Sequence, residues 1–233
     1  MEIKEGVFRI PNGKYMRHLN IRELILPASL VSIGSGAFSG CCNLERIEFP
    51  PMLGMIKDCA FSDCTGLKSL NIPGSIREIQ YGTFQRCSGI TRLEIPEGII
   101  SIESTAFSEC SSLEEVVFPD SLKRIGFEGF SKCRKLKAVR LPDNLKSLGN
   151  LAFSDCRSLE SVYIPPLISK LPLGIFSGCT GLKKIFIPET VSTICQHAFY
   201  GCSKDLEVII NNSKENIEIL GGSDNNVNIR YEK

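Results

Sequence analysis

The residues of this sequence that could do chemistry are mainly its cysteines, eleven in all. Regularly spaced thiols invite two interpretations, a disulfide framework or a row of soft metal ligands. An odd total argues against complete disulfide pairing. Eight of the eleven recur every 23 residues and form what we call the cysteine ladder: Cys41, Cys64, Cys87, Cys110, Cys133, Cys156, Cys179 and Cys202.

Neither interpretation fits the geometry that such a spacing implies. If each 23-residue unit is one coil of a stack, neighbouring ladder cysteines lie about 4.8 Å apart, the spacing of adjacent strands. That distance suits a disulfide, but the Cβ vectors would run parallel and each thiol would have two equivalent neighbours. We therefore expect the ladder thiols to be reduced and buried, as small apolar side chains. Cys42, Cys59 and Cys195 lie outside the ladder and are expected to be exposed.

Other reactive groups do not assemble into a catalytic constellation. His18 and His197 are the only histidines, and they belong to opposite ends of the repeat array, so no dyad can draw on both. The cluster Cys195-Gln196-His197 with Cys202 offers three metal ligands at most, and a Cys195–His197 dyad has no evident third group to orient it. The sequence therefore predicts no catalytic residue, no cofactor site and no metal site, and we expect no enzyme.

The elements that position these residues follow from the repeat itself. Phenylalanine stands three residues before every ladder cysteine, at Phe38, Phe61, Phe84, Phe107, Phe130, Phe153, Phe176 and Phe199. Proline keeps the same step at Pro27, Pro50, Pro73, Pro96, Pro119, Pro142, Pro165 and Pro188. The alternation Ile47-x-Phe49 before Pro50 predicts a short strand that proline ends. One such unit cannot bury its apolar positions alone, so stacked coils must bury them against each other.

The unit resembles the BspA-like class of leucine-rich repeats. Leu67-Lys68-Ser69-Leu70-Asn71-Ile72-Pro73, followed by Ile76, Ile79, Phe84 and Cys87, matches that repeat nearly position for position. The resemblance covers about residues 3 to 210. It implies an α/β repeat solenoid, a right-handed leucine-rich-repeat superhelix. A parallel sheet of short strands would form one face, and helical or 3₁₀ turns at Ala-Phe-x-x-Cys would return the chain.

The domain organisation predicted from the repeat is one continuous domain. Residues 1–26 form a degenerate N-terminal capping repeat, in which Tyr15 and His18 take the places of phenylalanine and cysteine. Eight 23-residue repeats fill 27–210, the last with one extra residue between Cys202 and Leu206. Residues 211–233 form a C-terminal capping segment.

Composition narrows the classes of partner. The 233 residues carry 27 basic and 26 acidic side chains, a net charge of +1, which provides no general attraction to nucleic acid or an anionic membrane. No apolar run approaches the roughly 20 residues that span a bilayer, so no membrane insertion is expected. The start, Met1 to Gly6, has no apolar core of a signal peptide. Localisation is therefore left open between the surface or secreted setting that the resemblance implies and the cytoplasm.

Two outward columns of the predicted sheet differ in character. Each repeat has a Leu or Ile shortly after its cysteine, such as Leu44 after Cys41. The residue that follows this Leu or Ile nearly alternates in charge from coil to coil, which predicts ion pairs that hold the register: Arg22, Glu45, Lys68, Thr91, Glu114, Lys137, Glu160, Lys183 and Glu207. The column between the two inward strand residues is polar after its first member and then apolar or aromatic: Ile25, Glu48, Asn71, Glu94, Val117, Arg140, Tyr163, Phe186 and Ile210.

The second half of that column predicts a partner-binding surface at Val117, Arg140, Tyr163, Phe186 and Ile210, because exposed Tyr, Phe and Arg are enriched at binding hot spots. One alternative is that the tail from Ile217 to Tyr231 folds back and covers some of these residues, and another is that they are scattered surface apolar residues without a binding role. A second feature concerns charge: residues 123–157 hold nine cations against three acids, which an acidic partner would complement. The alternative is a solvated face, because these cations occupy several different coil positions.

The function predicted is a non-catalytic binding module that engages a macromolecule through its strand face. The partner is a protein, with a host or matrix protein or an acidic glycan as the variants considered. By resemblance, the setting is surface adhesion or host interaction. Two alternatives are a structural spacer cut from a longer repeat protein and an intracellular regulator or effector.

Overall fold

The computed structural model describes residues 1–221 and 227–232, and in it the chain winds into a stack of about nine coils. Each coil passes through two strand positions and one turn segment, so the stack has a front sheet, a side sheet and a turn side. All strand pairs in the described residues are parallel, and residues 23 apart face each other through most of the stack, as Val139 faces Val162.

The front sheet contains the longer strands, in which residues alternate between the solvent and the core. Numbered along the chain, they are β2 (Glu23–Ile25), β4 (Arg46–Glu48), β7 (Arg92–Glu94), β9 (Glu115–Val117), β11 (Ala138–Arg140), β13 (Ser161–Tyr163), β15 (Lys184–Ile187), β17 (Glu207–Ile210) and β19 (Asn228–Tyr231). They pair in the groups β2-β4, β7-β9, β11-β13 and β15-β17-β19, and in the third coil Asn71 contributes only a bridge to Glu94.

The side sheet is an addition to the predicted architecture, which had strands on one face only. Its strands have two residues each and are β1 (Arg9–Ile10), β3 (Ser32–Ile33), β5 (Met55–Ile56), β6 (Glu78–Ile79), β8 (Ser101–Ile102), β10 (Arg124–Ile125), β12 (Ser147–Leu148), β14 (Lys170–Leu171), β16 (Thr193–Ile194) and β18 (Glu218–Ile219). They pair in the groups β1-β3-β5, β6-β8-β10-β12 and β14-β16-β18.

The turn side corrects the prediction of helical or 3₁₀ turns, because residues 1–221 and 227–232 contain no helix. The Phe38 N–H donates to the Ala60 carbonyl of the next coil (2.8 Å), whereas the Ser39 N–H donates to the Gly36 carbonyl of its own coil (3.1 Å). Backbone amides thus alternate between bonds within a coil and bonds between coils, and the chain advances as a series of β-turns.

Backbone conformation explains why this segment is not helical. Two positions in each coil, four residues apart, have positive φ, from Gly13 and Arg17 in the first coil to His197 and Gly201 in the last. A helix requires negative φ throughout, so each such residue interrupts it. All eleven non-glycine residues with positive φ in the described chain occupy these two positions.

The core is organised around one column of aromatic rings. Tyr15 stacks on Phe38, and the column continues to Phe199 through the phenylalanines that stand three residues before each ladder cysteine. Neighbouring ring centroids lie 5.2–6.2 Å apart, with interplanar angles of 6–19°. Tyr15 thus serves in the first coil as phenylalanine does in the others. The rings from Phe38 to Phe199 are buried together with the leucines and isoleucines of the same coils.

The last repeat differs from its predicted register by one residue. Phe186 of β15 faces Ile209 of β17, and Ile187 faces Ile210, so Ile210 points into the core and is 0% exposed. The chain has one residue more between Cys202 and Leu206 than the other repeats have, and one residue fewer between Leu206 and the inward Val208. The register is restored in this way because the inward pair Val208 and Ile210 must match Ile185 and Ile187. The prediction that Ile210 lies in the outward column is therefore wrong. Ile209 takes that place and is buried against its neighbours.

The described parts of the C-terminal segment, 211–221 and 227–232, extend the stack and do not fold back over the front sheet. β18 pairs with β16 of the side sheet, and β19 pairs with β17 of the front sheet. The aromatic side chains of the outward column stay open, contrary to the alternative of a covering tail: Tyr163 is 38% exposed and Phe186 is 58% exposed.

Candidate binding groove on the front sheet

The cysteine ladder is structural, as predicted. All eight ladder thiols are free and buried, and each Sγ donates to a backbone carbonyl of the preceding coil, as Cys156 does to Phe130 (3.3 Å). Burial raises the pKa of Cys156 to about 12. Burial likewise raises the pKa of every other ladder thiol. A protonated, enclosed thiol is neither a nucleophile nor a metal ligand.

Cysteines outside the ladder differ from each other. Cys42 and Cys59 are half-buried, whereas Cys195, expected to be exposed, is buried with 8% of its surface accessible. Cys195 directly follows β16, which the C-terminal strand β18 covers by pairing, and this explains the correction. Across residues 1–221 and 227–232, no group of three or more His, Cys, Asp or Glu side chains could hold a metal ion.

Ion pairs fill the N-terminal half of the front sheet. Glu45 lies between two cations of the neighbouring coils, at 3.4 Å from Arg22 and 2.9 Å from Lys68, and its hydrogen bond from Lys68 lowers the pKa of the Glu45 carboxyl. Arg92 and Glu115 pair at 2.9 Å in the adjacent column. The predicted alternation of charge is thus expressed as contacts between coils. Glu207 departs from it, because the register of β17 pairs Glu207 with Lys184 (3.2 Å).

This column of charges is interrupted at β11 and β13, where small residues take the outward position that Arg92 and Glu115 occupy earlier and Lys184 and Glu207 occupy later. Ala138 and Ser161 are these residues, and an open groove of about 520 Å³ lies over them. Its lining is mainly apolar and comprises Ala138, Val139, Arg140, Ser161, Val162, Tyr163, Ile164, Phe186, Ile187, Pro188, Asn211 and Glu232.

Three of the predicted residues form one wall of the groove in consecutive coils. The Arg140 guanidinium lies 4.6 Å from the Tyr163 ring centre, and the Tyr163 hydroxyl donates to the Asp143 carboxylate at 2.9 Å. That hydrogen bond raises the pKa of Tyr163. Lys184 Nζ lies 5.0 Å from the Phe186 ring centre. These contacts hold the aromatic rings and the guanidinium in fixed positions before any ligand arrives.

The remaining predicted residues lie outside the groove. Val117 is exposed on β9, one coil before Arg140, and does not line it, while Ile210 is in the core. The sequence interpretation missed the floor, Ala138 and Ser161, and the rim residues Asn211 and Glu232. The floor had a signal: two successive small residues interrupt a column that is otherwise mostly charged. The rim had none, since it depends on how the C-terminal segment packs.

The described part of the chain has no helix long and apolar enough to cross a membrane.

Comparison with known proteins concerns the repeat and the fold. A family model described as a BspA type leucine rich repeat region matches residues 8–128 and 100–220, with six copies. A leucine-rich repeat protein from Bacteroides ovatus is 33% identical, with a TM-score of 0.88 over 97% of this chain, and the chain spans 59% of that protein. No curated protein matches the chain.

Two more distant structures share the fold alone. A leucine rich cell surface protein from Faecalibacterium prausnitzii is 23% identical, with a TM-score of 0.51, covering 99% of this chain and 86% of its own. The pneumococcal vaccine antigen PcpA is 19% identical, with a TM-score of 0.53, covering 99% of this chain and 73% of its own.

Proposed function

Because the chain belongs to the BspA-type leucine-rich repeat family, we propose that it is a non-catalytic binding module whose front-sheet groove engages a protein partner. The observation that carries this proposal is the groove itself. Arg140, Tyr163 and Phe186 stand in a line along an open, mainly apolar depression with the small residues Ala138 and Ser161 beneath.

The groove has the composition of a binding hot spot. Tyrosine and arginine are the residue types most enriched where truncation to alanine weakens protein complexes. Their rigidity matters as well, because the Arg140–Tyr163–Asp143 chain is already ordered and loses little conformational freedom on binding. Among the described side chains, Arg140 has no carboxylate partner, so its guanidinium can receive one from a ligand.

A protein partner fits this groove better than an acidic glycan. The nine cations of residues 123–157 do not converge on one surface, and four of them already have carboxylate partners, at distances of 2.7–3.7 Å: Arg124 with Glu103, Lys132 with Glu109, Lys137 with Glu114 and Arg157 with Asp155. The groove lining is apolar, which favours contact with apolar side chains. Adhesion or host contact is the setting that the family resemblance suggests.

The test is affinity capture of proteins from extracts of host cells and of extracellular matrix on the immobilised chain. Only variants whose melting temperature equals that of the wild type are compared. We expect Tyr163→Ala and Phe186→Ala each to reduce recovery of a captured protein at least tenfold. Glu48→Ala and Glu94→Ala are the matched controls, since they stand in the same outward column of earlier coils. Equal losses from both pairs, or capture of acidic glycans in place of protein, would contradict the proposal.

A further inference from the structure

The N-terminal end of the side sheet carries a second groove, which the front-sheet function does not use. It spans the first three coils and has a volume of about 630 Å³. β1 and β5 form its walls and β3 its floor, since β3 pairs with both. The groove therefore lies across the side of the stack and runs along the strands. With coils about 4.8 Å apart, its walls are separated by about 10 Å.

Small residues of the middle coil form the floor of this groove. Ser32 lies between Arg9 and Met55, which belong to the flanking strands at the same register position. Gly34 lies two residues further along. A side chain at Gly34 would place Cβ 2.6 Å from the Asn12 backbone nitrogen, so glycine is required for the coils to approach. A depression at this position is consequently built into the packing of the coils.

The lining of the groove combines apolar side chains with uncompensated positive charge. Val31 and Met55 are exposed at one end of the groove, where the Val31 N–H donates to the Phe8 carbonyl (2.9 Å). Phe8 (62% exposed) and Met52 (74%), which lies three residues before Met55 in the chain, are two of the most exposed apolar side chains of the described residues. Arg9 lies on one wall and Lys57 on the other, and neither forms an ion pair with the described side chains. The residues that line the groove include no acid: Arg9, Ile10, Pro11, Asn12, Val31, Ser32, Gly34, Gly54, Met55 and Lys57.

We propose that this side-sheet groove is a second docking site, which binds an extended protein segment with two carboxylates beside a large apolar side chain. The apolar side chain would lie on Val31 and Met55, and the carboxylates would pair with Arg9 and Lys57. These two cations are offset by two residues along the strands, about 7 Å. Same-face side chains of an extended segment have that spacing, so carboxylates at positions i and i+2 reach both cations. A trough of this width accommodates one extended chain and does not match a flat lipid surface.

The test uses the methionines as reporters, because the chain has only four: Met1, Met16, Met52 and Met55. Protein labelled with [methyl-¹³C]methionine is titrated with a synthetic peptide of sequence Leu-Ser-Glu-Ser-Glu, the Glu-Leu peptide, which carries its leucine and both glutamates on one face of an extended chain. It is compared with the peptides in which Lys replaces Glu (Lys-Leu) or Ser replaces Leu (Glu-Ser). We expect the Glu-Leu peptide to shift the Met55 methyl signal and to leave Met16, which lies on the turn side, unchanged. Arg9→Glu/Lys57→Glu should weaken the affinity at least tenfold.

A matched double variant controls for net charge. Lys14→Glu/Lys135→Glu changes the charge equally at exposed sites outside the groove and should bind the peptide as the wild type does. The proposal is overturned if the Met55 signal does not move, or if the Lys-Leu or Glu-Ser peptide binds equally well. It is also overturned if Arg9→Glu/Lys57→Glu binds undiminished, or if phosphatidylserine vesicles shift Met55 while the peptide does not.

Discussion

The N-terminal and C-terminal halves of the front sheet use the same backbone for different purposes. In the first half, outward residues pair between coils, as Glu45 does with Arg22 and Lys68. In the second half, Ala138 and Ser161 leave a depression, and Arg140 rests on the Tyr163 ring without a carboxylate partner among the described side chains. The aromatic column beneath is continuous through both. Outward positions can thus change from structural to binding roles without any change in the core.

The largest effect expected concerns the thiol ladder, which runs under both halves. Burial raises the folded-state pKa of Cys110 and of Cys156 to about 12, above an unfolded value of about 8.5. Each such thiol contributes stability that is fully present below about pH 8.5 and is lost as pH rises toward 12. The loss reaches about 1.4 kcal/mol per pH unit per thiol, and eight thiols act together. Urea unfolding at pH 7, 9 and 10 should therefore show a steep alkaline decline.

Variants of the ladder separate this effect from ordinary alkaline denaturation. Cys110→Ala/Cys133→Ala removes two inner thiols and should flatten the pH dependence, while Cys42→Ala, outside the ladder, should leave it unchanged. A decline of the same steepness in all three proteins would show that the buried thiols are not its cause.

The next effect tests whether the two halves share one core. Phe84→Ala, under the paired half, and Phe153→Ala, under the groove half, each remove a fully buried ring stacked on both sides. Both should lower the free energy of unfolding by about 3–5 kcal/mol. Tyr15→Ala should cost less, because Tyr15 is only partly buried in the first coil. Chemical denaturation measures all three, and a large difference between Phe84→Ala and Phe153→Ala would mean that the halves are not equivalent inside.

The smallest effect on stability comes from making the groove half resemble the paired half. Ala138→Arg places a long cation over the groove floor next to Glu115, its neighbour in the outward column. We expect capture of the partner to be lost and the melting temperature to stay within a degree or two, because the position is exposed. Retained capture would show that the groove floor does not contact the partner.

Much of the architecture could be predicted from spacing alone. The phenylalanine, cysteine and proline columns specify the coil length, the parallel pairing and the buried ladder, because any other arrangement leaves those residues unpacked. The side sheet escaped prediction because Ser32–Ile33 and its equivalents are too short to show alternation. The helical turn was a misinterpretation of an apolar spacing of three residues. Positions such as Thr105 and Leu151 have positive φ, and their N–H groups donate to carbonyls of the next coil, an arrangement that residue types alone do not reveal.

The candidate groove was predictable only in part. Arg140, Tyr163 and Phe186 could be placed together because one outward column has a constant 23-residue step. Ile210 could not be placed by counting from Leu206 at the spacing of the other repeats. The last repeat has one residue fewer between Leu206 and its strand, which keeps Val208 and Ile210 inward. Rim residues such as Glu232 depend on the C-terminal strand, whose position the repeat does not encode.

The alternating amides of the turn side also bear on how such a chain changes length in evolution. Every second N–H there bonds to a carbonyl one coil away, as Phe38 bonds to Ala60, Ala60 lying 22 residues further on. Removing or duplicating 23 residues between any two prolines recreates the same set of bonds across the new junction. Losing one or two residues on the turn side instead puts the donors of that coil out of step with the carbonyls of the neighbouring coils. Genetic change in this gene should therefore tolerate steps of one whole repeat and reject small insertions, so that either groove can be moved relative to the other by complete coils.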